Sequence, residues 1–246
     1  MSLTPTSGKA YTITGLLDEP ITAARISTIS SLVNEGSDGL VGWAVNIGAQ
    51  GALETVSDWL PLPSESRLVL AKKRGHVLRS QAAKRGTEVH QLIQHVLHGT
   101  ITQWERDRQP GYLSAFTNWM TDRQPIIHGC ETSVAGTQDG DRFYAGTIDL
   151  PCTIQGRSTI VDWKTGKTMS DAYRAQLGGY SLCTWTVDDN DLPTPVDADH
   201  DHAMCVFLGD DGSYTEVEVD LEHGRALFLA AWNLYQIINY KKAEQQ

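Results

Sequence analysis

Ile160-Val161-Asp162-Trp163-Lys164-Thr165-Gly166 is the stretch on which the reading of this chain turns. Its β-branched and aromatic residues favour a strand. Side chains alternate along a strand, so Asp162 and Lys164 share one face while Val161 and Trp163 share the other. A carboxylate and an ammonium therefore emerge side by side from an apolar strand. Burying either one unpaired costs several kcal/mol or more. An ordinary salt bridge at a strand end competes here with a catalytic pair. The preceding apolar run, Phe143-Tyr144-Ala145-Gly146-Thr147-Ile148-Asp149, ends in a second carboxylate. A turn at Gln155-Gly156-Arg157 lays that strand against the first and brings Asp149 towards Asp162. Two carboxylates brought together repel unless a cation lies between them. Hard oxygen donors suit Mg²⁺ or Mn²⁺.

Working outward, strands are expected over residues 131–135, 142–154 and 158–163, with a further turn at Asp139-Gly140-Asp141. A helix over 171–186, an acidic surface loop over 187–201, a hairpin around Asp210-Asp211-Gly212 and a helix over 221–240 follow. Upstream, Val89, Leu92, Ile93, Val96 and Leu97 fall at i, i+3, i+4, i+7 and i+8, one buried face of a helix closed by His98-Gly99. Another helical stretch covers 111–121. The first eighty-odd residues read as mostly helical: Trp43, Ala44, Ile47 and Leu53 suggest one helix, and Ser64 is a candidate cap for another through Leu68, Leu70 and Ala71, with Gly75 interrupting it. The result is one α/β domain over residues 1–246. Residues 1–84 are its helical N-terminal region, and residues 85–240 form a mixed central sheet flanked by helices.

His90 falls at the edge of that apolar helix face, where an imidazole is either structural or a ligand. His95 and His98 lie roughly 140° and 80° round the helix from it, which argues against a helical zinc site. Gln176 and Tyr180 form an i,i+4 pair on the helix after Lys164. Glu131 is open to three roles: metal ligand, supporting group or ion-pair partner. Gly166-Lys167-Thr168 lacks the first glycine of a phosphate loop, since position 161 is Val161. Asp199-His200-Asp201-His202 reads as a solvated turn. Cys130, Cys152, Cys183 and Cys205 are scattered, which suits small buried hydrophobes better than a metal cage.

The net charge of −10 argues against a nucleic-acid partner until its distribution is considered. No acid separates Glu65 from Glu88, while Arg67, Lys72, Lys73, Arg74, Arg79, Lys84 and Arg85 all fall between them. A solvated helix face competes with a phosphate-binding stripe. Trp43, Trp59 and Trp104 offer stacking surfaces, although core or interface roles suit them better. No eighteen-residue apolar run and no secretory signal appear, so a soluble cytoplasmic protein is expected.

Taken together, Arg85-Gly86-Thr87-Glu88-Val89-His90, Glu131, Gly146-Thr147-Ile148-Asp149, Asp162-Trp163-Lys164-Thr165-Gly166 and Gln176 to Tyr180 resemble the RecB-type branch of the PD-(D/E)XK nucleases over residues 85 to about 185. The first motif is also similar to that of the mitochondrial genome maintenance exonucleases and related phage and bacterial proteins. The resemblance implies a restriction-endonuclease-like core and an Mg²⁺- or Mn²⁺-dependent deoxyribonuclease acting on DNA from its ends. The setting it implies is a bacterial cell or phage-infected host, with a recombination or replication protein as a further partner. It implies that His90, Asp149, Asp162 and the main-chain carbonyl of Trp163 bind the metal. It makes Lys164 catalytic together with Asp149 and Asp162. Gln176 and Tyr180 would contact substrate or order the site, and Lys84, Arg85 and Lys167 are further candidate substrate contacts. Some relatives hold an iron–sulfur cluster, but no cysteine precedes His90 here, and no cluster is expected. Two alternatives stand beside the exonuclease: a structure- or sequence-specific endonuclease, and a non-catalytic nucleic-acid-binding or assembly subunit.

Overall fold

The strand carrying Asp162 and Lys164 lies at the centre of a five-stranded sheet. The computed structural model describes residues 2–7, 10–34, 48–49, 53, 61–187, 193–196 and 200–243. Its first elements are β1 (Ser2–Ser7), β2 (Ala10–Thr14), β3 (Ile21–Arg25), α1 (Ile26–Ser30) and a 3-10 turn (Ser31–Asn34). The helices α2 (Ser64–Leu97), α3 (Gln103–Arg108) and α4 (Pro110–Arg123) come next. Strands β4 (Ile126–Ile127), β5 (Thr132–Thr137), β6 (Phe143–Ile148), β7 (Leu150–Ile154) and β8 (Arg157–Lys164) precede helix α5 (Asp171–Ser181). Strands β9 (Trp185–Val187), β10 (Pro193–Pro195), β11 (His202–Leu208) and β12 (Tyr214–Glu218) lead to the closing helix α6 (Leu221–Ala243). No described helix is long and apolar enough to cross a membrane.

The strands make two mixed sheets, ordered β1-β2-β3-β6-β5-β9-β10 and β12-β11-β8-β7-β4. Each contains one parallel pair, β3 with β6 and β11 with β8. The β7–β8 hairpin turns at Gln155 and Gly156, whose φ values of 50° and 80° give the double left-handed bend that suits right-twisted strands. One residue, Asp149, separates β6 in the first sheet from β7 in the second. The continuous run expected over 142–154 is thus broken at the carboxylate itself.

Alternation along β8 divides the core in two. Val161 and Trp163 join Val89, Ile93, Phe116 and Trp119 against α2 and α4. The Trp119 and Trp163 rings meet edge to face at 5.0 Å. The opposite face buries Ile160 with Leu177, Phe228 and Trp232 of α5 and α6. Val89, Leu92 and Ile93 are buried, with Val96 and Leu97 packed beside them, as the helical periodicity requires. Cys152, Cys183 and Cys205 are buried free thiols and Cys130 is half-buried.

Several expectations need correction. Ser2–Ser7, Ala10–Thr14 and Ile21–Arg25 form strands rather than helix, because Thr, Ile and Tyr residues favour pleated pairing. Trp43, Ala44, Ile47 and Trp59 lie outside the described residues. Helix α2 runs unbroken through Gly75 and Gly86, tolerating the roughly 1 kcal/mol that each glycine costs. Its N-cap is Pro63, so Ser64 opens the helix without capping it. Helix α5 stops at Ser181, and Trp185–Val187 instead pairs as a strand with both β5 and β10. That second pairing places Pro193–Pro195 in a strand inside the expected loop. Helix α3 was not foreseen, although Thr102 and Glu105 form a reciprocal capping box at its start.

Helices α5 and α6 approach backbone to backbone at Gly178 and Gly224. A Cβ on Gly178 would lie 2.1 Å from the carbonyl carbon of Gly224. Backbone cannot yield as a side-chain tip can, so Gly178→Ala should cost about 3 kcal/mol. A melting scan should register a fall of roughly 6–12 °C. An unchanged melting temperature would mean that the two helices separate freely.

Candidate metal and catalytic site

Asp149 lies at the bend where the two sheets part. Pairing of β8 with β7 ends at Leu150 with Val161, so β7 offers no partner to the Trp163 N–H. That N–H donates to Asp149 Oδ2 at 2.8 Å, so the carboxylate closes the ladder where the backbone turns away. The other oxygen, Oδ1, faces His90 Nδ1 at 3.4 Å. His90 reaches across from α2 and its Nε2 hydrogen-bonds the Trp163 carbonyl at 3.0 Å. Helix, bend and strand are thereby tied at one point.

Glu131 completes the group. Its φ of 52° is left-handed, uncommon for a side chain of this kind and costing on the order of 1 kcal/mol or more. The conformation precedes β5 and swings the carboxylate to 3.7 Å from His90 Nδ1, while the Glu131 N–H donates to the Asp149 carbonyl at 3.0 Å. One ligand atom from each of His90, Glu131 and Asp149 lies within 4.8 Å of the others. A nitrogen and two carboxylates at that separation could hold a metal ion, with the Trp163 carbonyl adjoining them.

Asp162 and Lys164 sit beside this cluster on the α5 side. Asp162 is 2% exposed and forms an ion pair with Lys164. Its Oδ1 also accepts from Gln176 Nε2 at 3.3 Å, and the same amide donates to the Tyr180 hydroxyl at 2.8 Å. The Lys164 ammonium lies 4.6 Å from the centre of the Tyr173 ring. Burial raises the Asp162 carboxyl to about 6; Asp149 adds to the rise and Lys164 opposes it. Burial works against the Lys164 charge, but Asp162 and Asp149 more than offset it, and the ammonium titrates above its ordinary range. Tyr180 is pushed well above the ordinary phenol value, first by burial and then by Asp162 and Asp149. Its ring fits only because position 146 is glycine: a Cβ there would lie 2.7 Å from Tyr180 Cε1.

The foreseen residues are thus gathered, but with different partners. Asp162 turns to Lys164 and Gln176, while Glu131 joins His90 and Asp149. Lys84 is an exposed residue of α2, 3.8 Å from Glu88. Arg85 and Lys167 line a separate cavity of about 450 Å³ with Asp210 and Asp211. His95 bonds Glu105 of α3 and takes no part in the His90 group. His202, read as a solvated turn, is instead buried in β11 beside Thr159, because β11 pairs in parallel with β8 from that residue onward. His200 bonds Ser158, and Asp199 lies outside the described residues. Trp104 is not a core residue: it is 65% exposed under the Arg108 guanidinium, because α3 buries none of its residues.

A cavity of about 520 Å³ opens over His90, Glu131 and Asp149, bounded by Gln176 and Tyr180 on α5 and by Thr87 and Gln94 on α2. Tyr11 and Arg25, which also line it, come from strands that the sequence reading missed. Nothing local marks these two residues; only the long-range pairing of β3 with β6 brings them here.

The cluster has a built-in acid–base dependence. Burial disfavours the His90 cation, but Asp149 and then Glu131 outweigh it and lift the imidazole from 6.5 to about 10. Its charge therefore stabilises the metal-free fold fully below pH 6.5, and that contribution disappears as pH rises through about 10. A metal ligand must be neutral, so a metal ion bound here would displace this proton. Between pH 6.5 and 9 the metal concentration for half-saturation should fall about tenfold per pH unit. His90→Ala should flatten that dependence and raise the half-saturating concentration at least about tenfold at pH 9. Calorimetric titration across pH is the check. A slope shared by both proteins would place the exchanged proton elsewhere.

No protein-family model matches the chain, and no curated protein matches it.

Proposed function

We propose that the chain is a divalent-metal-dependent DNA nuclease, probing ends of the duplex or single strand, built on a restriction-endonuclease-like core of the RecB-type PD-(D/E)XK kind. The observation that carries this reading is the convergence of His90, Glu131 and Asp149 within 4.8 Å, one strand away from a buried Asp162–Lys164 pair. A purely structural salt bridge needs no second cluster of carboxylates beside it.

The donor set fits Mg²⁺ or Mn²⁺: two carboxylates and one imidazole, open to a cavity on one side. When bound, such a cation supplies Lewis acidity to a phosphoryl oxygen and to water. Lys164 holds positive charge beside Asp162, where it offsets negative charge developing on phosphate. Gln176 fixes the orientation of the Asp162 carboxylate through its amide, and Tyr180 anchors that amide. Tyr173 limits the directions open to the Lys164 ammonium.

Digestion of end-labelled linear DNA, single- and double-stranded, alongside covalently closed circles tests the reading with each metal in turn. Linear substrates should be degraded while circles persist. Cut circles would transfer the same chemistry to an endonuclease, and no cleavage of any substrate with any metal would remove the nuclease reading.

A further inference from the structure

Among the described residues Arg25 has no counter-ion, in a cavity whose described lining carries two carboxylates, Glu131 and Asp149. It ends β3, in register with Ala145, one residue before the glycine that admits Tyr180. No described carboxylate pairs with it, and its buried Nε has no hydrogen-bond partner. Buried polar atoms are seldom left unbonded without a reason. The Tyr11 ring lies 4.5 Å from the guanidinium carbon and holds the group by a cation–π contact without using its N–H donors. Both residues line the wall of the same 520 Å³ cavity as His90, Glu131 and Asp149.

We infer that Arg25, held by Tyr11, binds a phosphate of the substrate. Guanidinium presents donors that match phosphate oxygens, and its ring contact with Tyr11 leaves them unused. A cation at this place also offsets the repulsion that Glu131 and Asp149 exert on any phosphate entering the cavity. The inference rests on the phosphodiester reading of the cavity, and it gives the N-terminal strands a role as the substrate-facing wall.

Two measurements on the full chain separate the inference from the reading beneath it. The first is cleavage of an end-labelled thymidine oligonucleotide at several salt concentrations with Mg²⁺. The second is equilibrium binding of thymidine 5′-monophosphate, which contains no phosphodiester to cleave. Arg25→Gln should raise KM about tenfold with a smaller change in kcat, and reduce the salt slope by about 0.7, as for one lost phosphate contact on a single strand. It should weaken mononucleotide binding by a similar factor. Arg25→Lys, which keeps charge but loses the paired donors, should fall between, and Tyr11→Leu should raise KM severalfold. A wild-type protein that binds the mononucleotide through Arg25 yet cleaves nothing would remove the nuclease reading and leave the phosphate site standing. Mononucleotide binding that is equal in wild type and Arg25→Gln, or undetectable in both, overturns the Arg25 assignment whatever cleavage shows.

Discussion

Lys164→Met should lower the rate of phosphodiester cleavage on the order of a thousandfold while leaving metal binding within a few-fold of wild type. The side chain pairs with Asp162 and contacts Tyr173 but is no part of the His90–Glu131–Asp149 cluster, so its loss removes charge stabilisation rather than a ligand. Methionine keeps most of the aliphatic volume, which spares the packing. Asp162→Asn should lower cleavage as severely, and it too destabilises the protein. It strips the buried ammonium of its counter-ion, and uncompensated buried charge costs about 3–5 kcal/mol. Lys164→Met likewise leaves the buried Asp162 carboxylate without its counter-ion, so both variants should melt below wild type, and both are nearly inactive under single-turnover conditions. Near-normal cleavage by folded Lys164→Met would assign the chemistry to another residue.

Asp149→Asn should weaken Mg²⁺ or Mn²⁺ binding by at least about a hundredfold. Residues that merely support a ligand already cost ten- to a hundredfold when removed, and Asp149 is one of three direct candidates. Asparagine retains an oxygen for the Trp163 N–H, so this variant isolates the loss of negative charge. Asp149→Ala removes that acceptor as well and should cost about 1–3 kcal/mol of stability, because a buried N–H is left unbonded. Calorimetric titration and melting of the pair measure the two effects separately. Undiminished metal affinity in Asp149→Asn would mean that the carboxylate serves only to close the strand ladder.

The site residues that local pattern reveals are those on regular elements. Alternation along one strand put Asp162 and Lys164 on a common face, and helical periodicity put His90 at the edge of a buried face; both follow from the repeat of the backbone itself. Glu131 was ambiguous because its orientation depends on a left-handed φ, which no glutamate signals in sequence. Arg25 and Tyr11 were invisible because β3 pairs with β6 across more than a hundred residues of chain. The same long-range pairing turned an expected helical N-terminus into strands. Thr, Ile and Tyr at alternate positions in 10–14 carried that information, and the helical reading passed over it. The early end of α5 was legible in Thr184-Trp185-Thr186-Val187, a β-branched and aromatic run appended to a helix that had reached its cap.

The most direct measurement is the rate at which purified wild-type protein hydrolyses end-labelled linear DNA as Mg²⁺ is titrated, with Lys164→Met run in parallel and metal binding followed on the same samples. Wild type should cleave with a metal dependence that tracks its binding curve, while Lys164→Met fills with metal at similar concentrations and cleaves on the order of a thousandfold more slowly. Wild-type protein that binds Mg²⁺ through His90, Glu131 and Asp149 yet leaves DNA intact would contradict the account, as would cleavage that is indifferent to Lys164.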